Sequence, residues 1–186
     1  VWQASAPLLA PGKPVTLSWD NGAGQRFEQV VSVDEDYLFT VRQRVINTGA
    51  GAVGLRSYGL ISRAEKSPDP TSWTSHVGPI SFLGNEADYD VDWETLDEDK
   101  SGITRDSRGG WLGFTDKYWL TALAPAAGAP IEASLRKSSA GAYQADYAGQ
   151  PFLVGPGQAV TGTSRLFAGA KEKALLDRYE AAGIPY

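Results

Sequence analysis

Glycine and proline interrupt this sequence at short intervals from one end to the other. The chain of 186 residues contains 21 glycines and 11 prolines, and many of the stretches between them alternate apolar and polar residues. This pattern predicts many short strands joined by turns rather than long helices. A chain of this length can bury a core of its own. We therefore expect a mainly β fold.

The first third of the chain contains the clearest strand patterns. Residues 15–19 alternate and stop at the turn Asp20-Asn21-Gly22, which is typical of a hairpin. Residues 26–33 and 37–46 continue as two further strands, and residues 53–61 return as a fourth. Because such short turns cannot make parallel crossovers, the segment predicts an antiparallel meander.

The middle of the chain is less regular. Residues 88–94 have period 2, with acids on one face and Tyr89, Val91 and Trp93 on the other, which predicts a strand. Residues 97–108 are polar, and we expect them to be exposed. Further strands are predicted at 77–83, 131–137, 143–147, 152–154 and 159–167.

Residues 109–120 form the densest aromatic stretch. A glycine pair is followed by two short apolar runs on either side of Thr115-Asp116-Lys117. Two strands joined by a polar corner are the natural interpretation. We expect Trp111, Phe114 and Trp119 to belong to the core and the corner to be exposed.

Only the end of the chain is helical in pattern. Residues 171–182 contain no β-branched residue, and an apolar stripe runs through Leu175, Leu176, Tyr179 and Ala182 at helical spacing. Gly183, Ile184 and Pro185 end it. Because a helix of about three turns is marginal in water by itself, its stripe must pack on the sheet or on a partner.

Composition excludes several classes of site. The net charge of −5 argues against nucleic-acid binding. The absence of cysteine excludes disulfides, thiolate zinc sites and a cysteine nucleophile. The absence of methionine indicates a processed form or a part of a longer protein. No apolar run approaches the roughly 20 residues that span a bilayer, so we expect any membrane anchor to lie outside this sequence.

Three sets of residues are candidates for chemistry, and none predicts a catalytic, cofactor or metal site. His76 is the only histidine, and no Gly-x-Ser-x-Gly elbow accompanies it. The alternating acids of residues 88–94 are compatible with calcium or a carboxylate pair, but a solvated strand face is favoured. The tryptophans are compatible with a sugar-stacking platform, but core positions are favoured: Trp2, Trp19, Trp73, Trp93, Trp111 and Trp119.

Three segments carry a resemblance to a known family. Residues 109–120 resemble a recurrent signature of the large periplasmic domain of the YidC/Oxa/Alb family of membrane protein insertases. Residues 76–80 resemble the short histidine-to-isoleucine segment that precedes a strand there. Residues 167–171, followed by Leu175 and Tyr179, resemble its aromatic-x-Gly-Pro-Lys entry into terminal helices, with Ala170 in place of proline. The resemblance covers about residues 15–186.

The resemblance implies a fold and a function. The fold would be an antiparallel β-supersandwich over residues 1–168, lacking the earliest strands of the family domain, with a C-terminal helical segment at 169–186 leading toward the membrane core. The function would be non-enzymatic, without cofactors, at the periplasmic face of the Gram-negative inner membrane. Implied partners are Sec translocon subunits (SecF/SecD, SecYEG) and nascent membrane proteins. The candidate partner-contact residues are Lys171, Leu175, Leu176, Tyr179 and Ile184, although the helix could equally be a cap on the sandwich.

A carbohydrate-binding or sugar-processing β-sandwich module is the alternative. It predicts a cleft lined by exposed aromatic and carboxylate side chains. The single histidine counts against its enzymatic version.

Overall fold

The computed structural model describes residues 1–69, 75–99 and 101–181. These residues form fifteen strands and two short helices. In chain order the elements are β1 Gln3–Ala4, β2 Val15–Asp20, β3 Gln25–Val33, β4 Leu38–Asn47, β5 Val53–Leu55, β6 Tyr58–Arg63, β7 Gly78–Leu83, β8 Glu86–Asp88, α1 Trp93–Glu98, β9 Ile103–Arg108, β10 Trp111–Thr115, β11 Trp119–Ala124, β12 Pro130–Lys137, β13 Tyr143–Gly149, β14 Phe152–Val154, β15 Ala159–Ala170 and α2 Lys173–Ala181.

The described strands form three sheets, and every pairing is antiparallel. The largest sheet has nine strands in the order β1-β2-β3-β4-β15-β11-β10-β7-β8, a second has the order β6-β13-β12-β9, and the third is the pair β14-β5. Strand β15 pairs with β4 on one side and with β11 on the other. It therefore joins the N-terminal strands to the central ones.

The main core lies between the nine-stranded and the four-stranded sheets. Leu112, Phe114 and Leu123 come from the first sheet, and inward-facing residues of β12 and β13 come from the second. Along β12 the side chains alternate between buried and more accessible, as expected for a strand with one face on a core. This sandwich covers the β7, β10 and β11 half of the large sheet.

The opposite face of the same half is covered by α2. A second cluster contains Trp111, Leu120 and Phe167 from the sheet and Leu176 and Tyr179 from the helix. Strand β10 is consequently buried on both faces. This double burial explains why the densest aromatic stretch of the sequence lies at the centre of the fold.

The β1–β4 half of the large sheet is covered less completely. The pair β14-β5 and the segment between β5 and β6 stand opposite it, and a cleft of about 680 Å³ lies between them. Trp19 and Phe27 form part of its floor. The large sheet is therefore closed at one end and open at the other.

The prediction of a mainly β, antiparallel fold with a short C-terminal helix is confirmed. The meander is confirmed for β2, β3 and β4. Its fourth strand is wrong, because residues 53–61 contain two strands that belong to different sheets. The chain leaves one sheet for another after Leu55, and β15 takes the place beside β4. Strand β15 runs through Ala170, while the division of the chain at residue 168 stays a prediction.

The predicted strand at residues 88–94 is also wrong. Strand β8 ends at Asp88, and helix α1 begins at Trp93 with Asp92 as its N-cap. The Oδ1 atom of Asp92 accepts the backbone N–H of Thr95 at 2.7 Å, as in a capped helix. Val91 and Trp93 still face the core. The pattern therefore predicted the core-facing positions correctly but the type of secondary structure wrongly. Residues 97–108 contain the end of α1 and strand β9, and the described residues among them are exposed or half-buried, in agreement with the predicted exposure.

The hairpin at residues 109–120 is confirmed as β10 and β11, but two of its burial predictions are wrong. Trp111 and Phe114 are buried, whereas Trp119 is 60% exposed because it stands at the open start of β11. Thr115 is fully buried rather than part of an exposed corner. Its hydroxyl group is occupied by the contacts described below.

Candidate functional site

Helix α2 is attached to the sheet through two side chains of its apolar stripe. The ring of Tyr179 lies edge-on to that of Phe167, with 5.6 Å between ring centroids, and Leu176 packs against the same cluster. Tyr179 is 9% exposed. Two residues of the predicted stripe, Leu176 and Tyr179, are therefore directed onto the domain itself.

Polar contacts tie the same helix to the turn between β3 and β4. The hydroxyl group of Tyr179 donates to the carboxylate of Asp34, with 2.9 Å to Oδ2. Arg178 pairs with Asp36 at 2.7 Å. Burial raises the pKa of Tyr179 well above its usual range, and the hydrogen bond to Asp34 raises it further. The tyrosine thus stays protonated and able to donate at any physiological pH.

Lys171 fixes the connection between β15 and α2. Its Nζ atom lies 2.9 Å from Thr115 Oγ1 and 3.0 Å from the carbonyl oxygen of Asp116, and it also reaches Ser75 Oγ and the carbonyl oxygen of His76 at 3.3 Å. Burial lowers the pKa of Lys171, and the charge of Asp116 only partly offsets this effect. The ammonium group therefore ties the β10–β11 corner and the segment before β7 to the start of the helix.

A bidentate ion pair supports this corner from the other side. Arg63 of β6 donates two hydrogen bonds to the carboxylate of Asp116, at 2.8 and 2.9 Å. Burial works against ionisation of Asp116. Hydrogen bonds from Arg63 and Ser67, together with the charges of Arg63 and Lys171, outweigh it, so the pKa of Asp116 is lowered. The guanidinium group also lies over the ring of Trp93, 5.3 Å from its centroid. The corner is therefore held by both sheets.

The structure brings three of the predicted site residues together. Lys171, Leu176 and Tyr179 all hold the C-terminal segment onto the sheet. Leu175 lies in α2, and Ile184 lies outside the described residues. A role for these five positions in contacting a partner stays a prediction. What the sequence did not reveal was the second set of contacts, from Asp34, Asp36 and the β10–β11 corner.

The open cleft is a further candidate site. Trp2 and Trp19 are 41% and 36% exposed and both line the cleft, although core positions were favoured for the tryptophans. Trp93 and Trp111 do pack in the core clusters, and Trp73 lies outside the described residues. The alternation of β2 and β3 was visible in the sequence, but nothing local shows that this part of the sheet is left uncovered.

His76 and Asp88, two of the remaining candidates, have structural partners. His76 Nε2 lies 2.7 Å from the carbonyl oxygen of Pro79, and Asp88 pairs with Arg105 at 2.7 Å. Within residues 1–69, 75–99 and 101–181, no group of three or more histidine or acidic side chains is placed to hold a metal ion. Neither of the two helices in that part of the chain is long and apolar enough to cross a bilayer.

The architecture defines a mainly β sandwich domain with an open cleft and a terminal helix fastened to its largest sheet. A family model described as the YidC periplasmic domain matches residues 1–184, and the chain belongs to this family. The resemblance stated from the sequence is confirmed.

Relatives of known name agree with this assignment. The membrane protein insertase YidC of Zymomonas mobilis is 39% identical over 181 residues, which cover 96% of this chain and 31% of that protein. The insertase YidC of Rhizobium etli is 41% identical over 185 residues, covering 98% and 31% respectively. The chain thus spans less than a third of the length of these relatives.

Solved structures show the same fold at low sequence identity. The α-galactosidase from Lactobacillus brevis is similar with a TM-score of 0.60 at 10% identity, over 98% of this chain and 28% of that one. Likeness at this level of identity concerns the fold alone.

Proposed function

We propose that this chain is the non-enzymatic periplasmic domain of an inner-membrane insertase of a Gram-negative bacterium, and that it supports the insertion and folding of membrane proteins. Membership of the YidC periplasmic family supports this role, as does the name insertase carried by its relatives. The domain contributes by holding its C-terminal segment in one orientation relative to the sandwich.

The attachment of α2 to the sheet carries this proposal. The helix is held at its start by Lys171 and along its length by Tyr179 and Arg178. A short helix with only one attachment would change direction freely, whereas these contacts fix its axis against the nine-stranded sheet. Any partner or membrane segment that meets the helix therefore meets the whole domain in a defined geometry.

The partners in this proposal are Sec translocon subunits, SecF/SecD and SecYEG, together with nascent membrane proteins. The outward side of α2 is the docking surface, and Lys173 and Asp177 are exposed on it. Leu175 and Ile184 are the apolar contact candidates at this end of the chain. Docking of a helix face of this kind is a common mode of recognition.

The test uses the full-length insertase that contains this chain. Tyr179→Ala removes the ring that attaches α2, and Leu175→Ser changes an apolar residue of the helix. We expect both variants to reduce co-purification of Sec subunits and the insertion of a Sec-dependent substrate. Tyr118→Ala is the matched control, because Tyr118 is 64% exposed and contacts Lys117 rather than the helix.

A second variant separates attachment from general stability. Tyr179→Phe keeps the packing and loses only the hydrogen bond to Asp34, so its activity should lie between that of the wild type and Tyr179→Ala. Unchanged Sec association and unchanged insertion in both Tyr179→Ala and Leu175→Ser, at equal protein levels, would contradict the proposal.

A further inference from the structure

We infer that the open cleft above β2, β3 and β4 is a binding site for a neutral oligosaccharide. This inference goes beyond the insertase role and does not depend on it. The cleft measures about 680 Å³, within the roughly 300–1,000 Å³ of typical small-molecule sites. Its floor is the nine-stranded sheet, and the pair β14-β5 with Tyr58 stands opposite.

The strand register places two different rows of side chains on the floor of the cleft. In one row Trp19 pairs with Phe27, Phe27 with Val45, and Val45 with Val160. In the next row Gln29 pairs with Gln43, and Gln43 pairs with Gly162. The two rows are about 7 Å apart along the strands. An apolar, aromatic row therefore runs beside a row that carries amides.

The aromatic rings of Trp2, Trp19 and Phe27 pack against one another in series, and their exposed part forms a shelf in the cleft. The ring centroids of Trp2 and Trp19 are 6.0 Å apart, and those of Trp19 and Phe27 are 5.2 Å apart with an angle of 26° between the planes. The indoles of Trp2 and Trp19 are partly exposed, whereas that of Trp111 is buried. Flat aromatic surface that remains accessible to solvent is suited to the C–H face of a pyranose ring.

The amide row supplies the polar half of such a site. Neither Gln29 nor Gln43 has a side-chain hydrogen-bond partner among the described residues, and an amide offers both a donor and an acceptor to a hydroxyl group. Gly162 leaves space above the same row, because a Cβ added there would have no atom within 4 Å. A sugar ring stacked on the shelf can therefore place its hydroxyl groups over the amides.

Charges around the cleft favour an uncharged ligand. Arg44 is within 3.7 Å of Glu28, and Arg56 is within 3.6 Å of Glu132 while its Nε atom donates to the carbonyl oxygen of Gly149 at 2.6 Å. The nearby arginines are thus engaged with the domain's own acids and backbone. A phosphate or carboxylate ligand would have to compete with these partners.

The main rival occupant is an extended apolar peptide, and the floor of the cleft suits it less well. Strands β3, β4 and β15 are each paired on both sides, and β2 pairs with β1 at Leu17 and Ser18. Only the short end of β2 at Trp19 and Asp20 therefore offers a backbone edge to which a peptide could add as a strand. A wholly apolar peptide or acyl chain would also cover the amides of Gln29 and Gln43 without satisfying them, which is unfavourable.

The test is calorimetric titration of the 186-residue chain with maltohexaose, cellohexaose and chitohexaose. We expect at least one of them to bind, and Trp19→Ala to weaken that binding about tenfold or more. Trp119→Ala is the matched control, since this exposed tryptophan lies outside the cleft, and its binding should equal that of the wild type.

Gly162→Val gives a second variant that keeps the fold. Valine suits a strand and fills the open space over the amide row, so saccharide binding should be lost while the thermal unfolding midpoint is retained. The inference is overturned if none of the three saccharides binds at millimolar concentration, or if binding survives both Trp19→Ala and Gly162→Val. Binding of an unfolded apolar peptide that depends on these residues, without saccharide binding, would assign the cleft to peptides instead.

Discussion

Replacing Lys171 with methionine tests whether the contacts of its Nζ atom hold the start of α2. Methionine keeps most of the side-chain length but removes contacts to four oxygen atoms within 3.3 Å, including Thr115 Oγ1 and the carbonyl oxygen of Asp116. Hydrogen bonds to a charged group contribute about 1.5–3 kcal/mol. Because burial already opposes the charge of Lys171, part of this contribution is offset. We expect a loss of about 1–2 kcal/mol in the free energy of unfolding.

Urea and thermal unfolding measure this loss. For a chain of this size the thermal midpoint should fall by roughly 2–8 °C. Lys173→Met is the matched control, because Lys173 is exposed and pairs with Asp177 four residues further along the helix. Such pairs contribute about 0.2–0.5 kcal/mol, so the control should lie close to the wild type.

The pH dependence of the free energy of unfolding provides an independent test. The pKa of Lys171 in the folded chain is below its ordinary value of 10.5, so the folded state binds fewer protons than the unfolded state in the window below 10.5. The free energy of unfolding then rises with pH in that window. Tyrosine ionisation is common to both proteins and cancels in their difference. The gap between wild type and Lys171→Met should therefore widen from neutral pH toward 10.5. Equal stability of Lys171→Met and Lys173→Met, or a gap that narrows with pH, would refute the reasoning.

Three further predictions concern the packing of the core and the stability of the fold at low pH. Trp111→Ala should lower the free energy of unfolding by about 3–5 kcal/mol, because Trp111 is buried. Trp119→Ala, on the exposed end of the same hairpin, should change it by less than about 0.5 kcal/mol. Similar values for the two variants in urea titrations would contradict the difference in burial. Gly113→Ala should prevent native folding, because the added Cβ would overlap a backbone carbonyl of β11, and a native circular dichroism spectrum would count against this. The hydrogen bond from Lys137 is the largest of several contacts that hold the pKa of Asp97 well below its ordinary 3.8. The ionised carboxylate of Asp97 therefore contributes fully to the free energy of unfolding above pH 3.8, and this contribution is lost as the pH falls below that value. Asp97→Asn should therefore lower the thermal midpoint at neutral pH and approach the wild type in acid, and an equal deficit at both pH values would oppose this.

Local sequence patterns predicted strand pairing correctly where the two paired strands follow one another directly in the chain. The alternation around Trp19 and the turn after it predicted the β2–β3 hairpin, and the glycine pair before Trp111 predicted β10 and β11. They failed where a pairing joins distant segments. Val45 pairs with Val160, and no short-range feature indicates that β15 rather than the nearest following strand takes this place.

Residues 88–94 show how a correct burial pattern led to a wrong element. Tyr89, Val91 and Trp93 alternate with acids, as a strand would, and Val91 and Trp93 do meet the core. The competing signal was Asp92, which precedes Thr95 by three residues and caps α1 through its side chain. Capping geometry decides the backbone here, because a helix of six residues is too short to show its own periodicity.

The candidate sites could not be predicted from residue type, because they depend on which parts of the sheet other elements cover in the folded chain. Tyr179 was singled out by helical spacing, but its partner Asp34 lies 145 residues earlier in the chain and no local pattern connects them. The shelf of Trp19 and Phe27 resembled core for a similar reason. Its alternation is the same as that of a buried strand, and only the extent of the opposite sheet leaves it open.

The central position of β15 in the nine-stranded sheet has a consequence for the order in which the domain can form. Strands β2, β3 and β4 are synthesised before β15 and can pair with one another, yet β4 keeps an unpaired edge until residues 159–167 arrive. For more than a hundred residues of chain growth this edge is open to wrong partners, which is a recognised hazard of β proteins. Closure of the sheet, completion of the core and docking of α2 then occur within the last part of the chain. A chain cut short before β15 would therefore lose the link between its two halves rather than a peripheral strand.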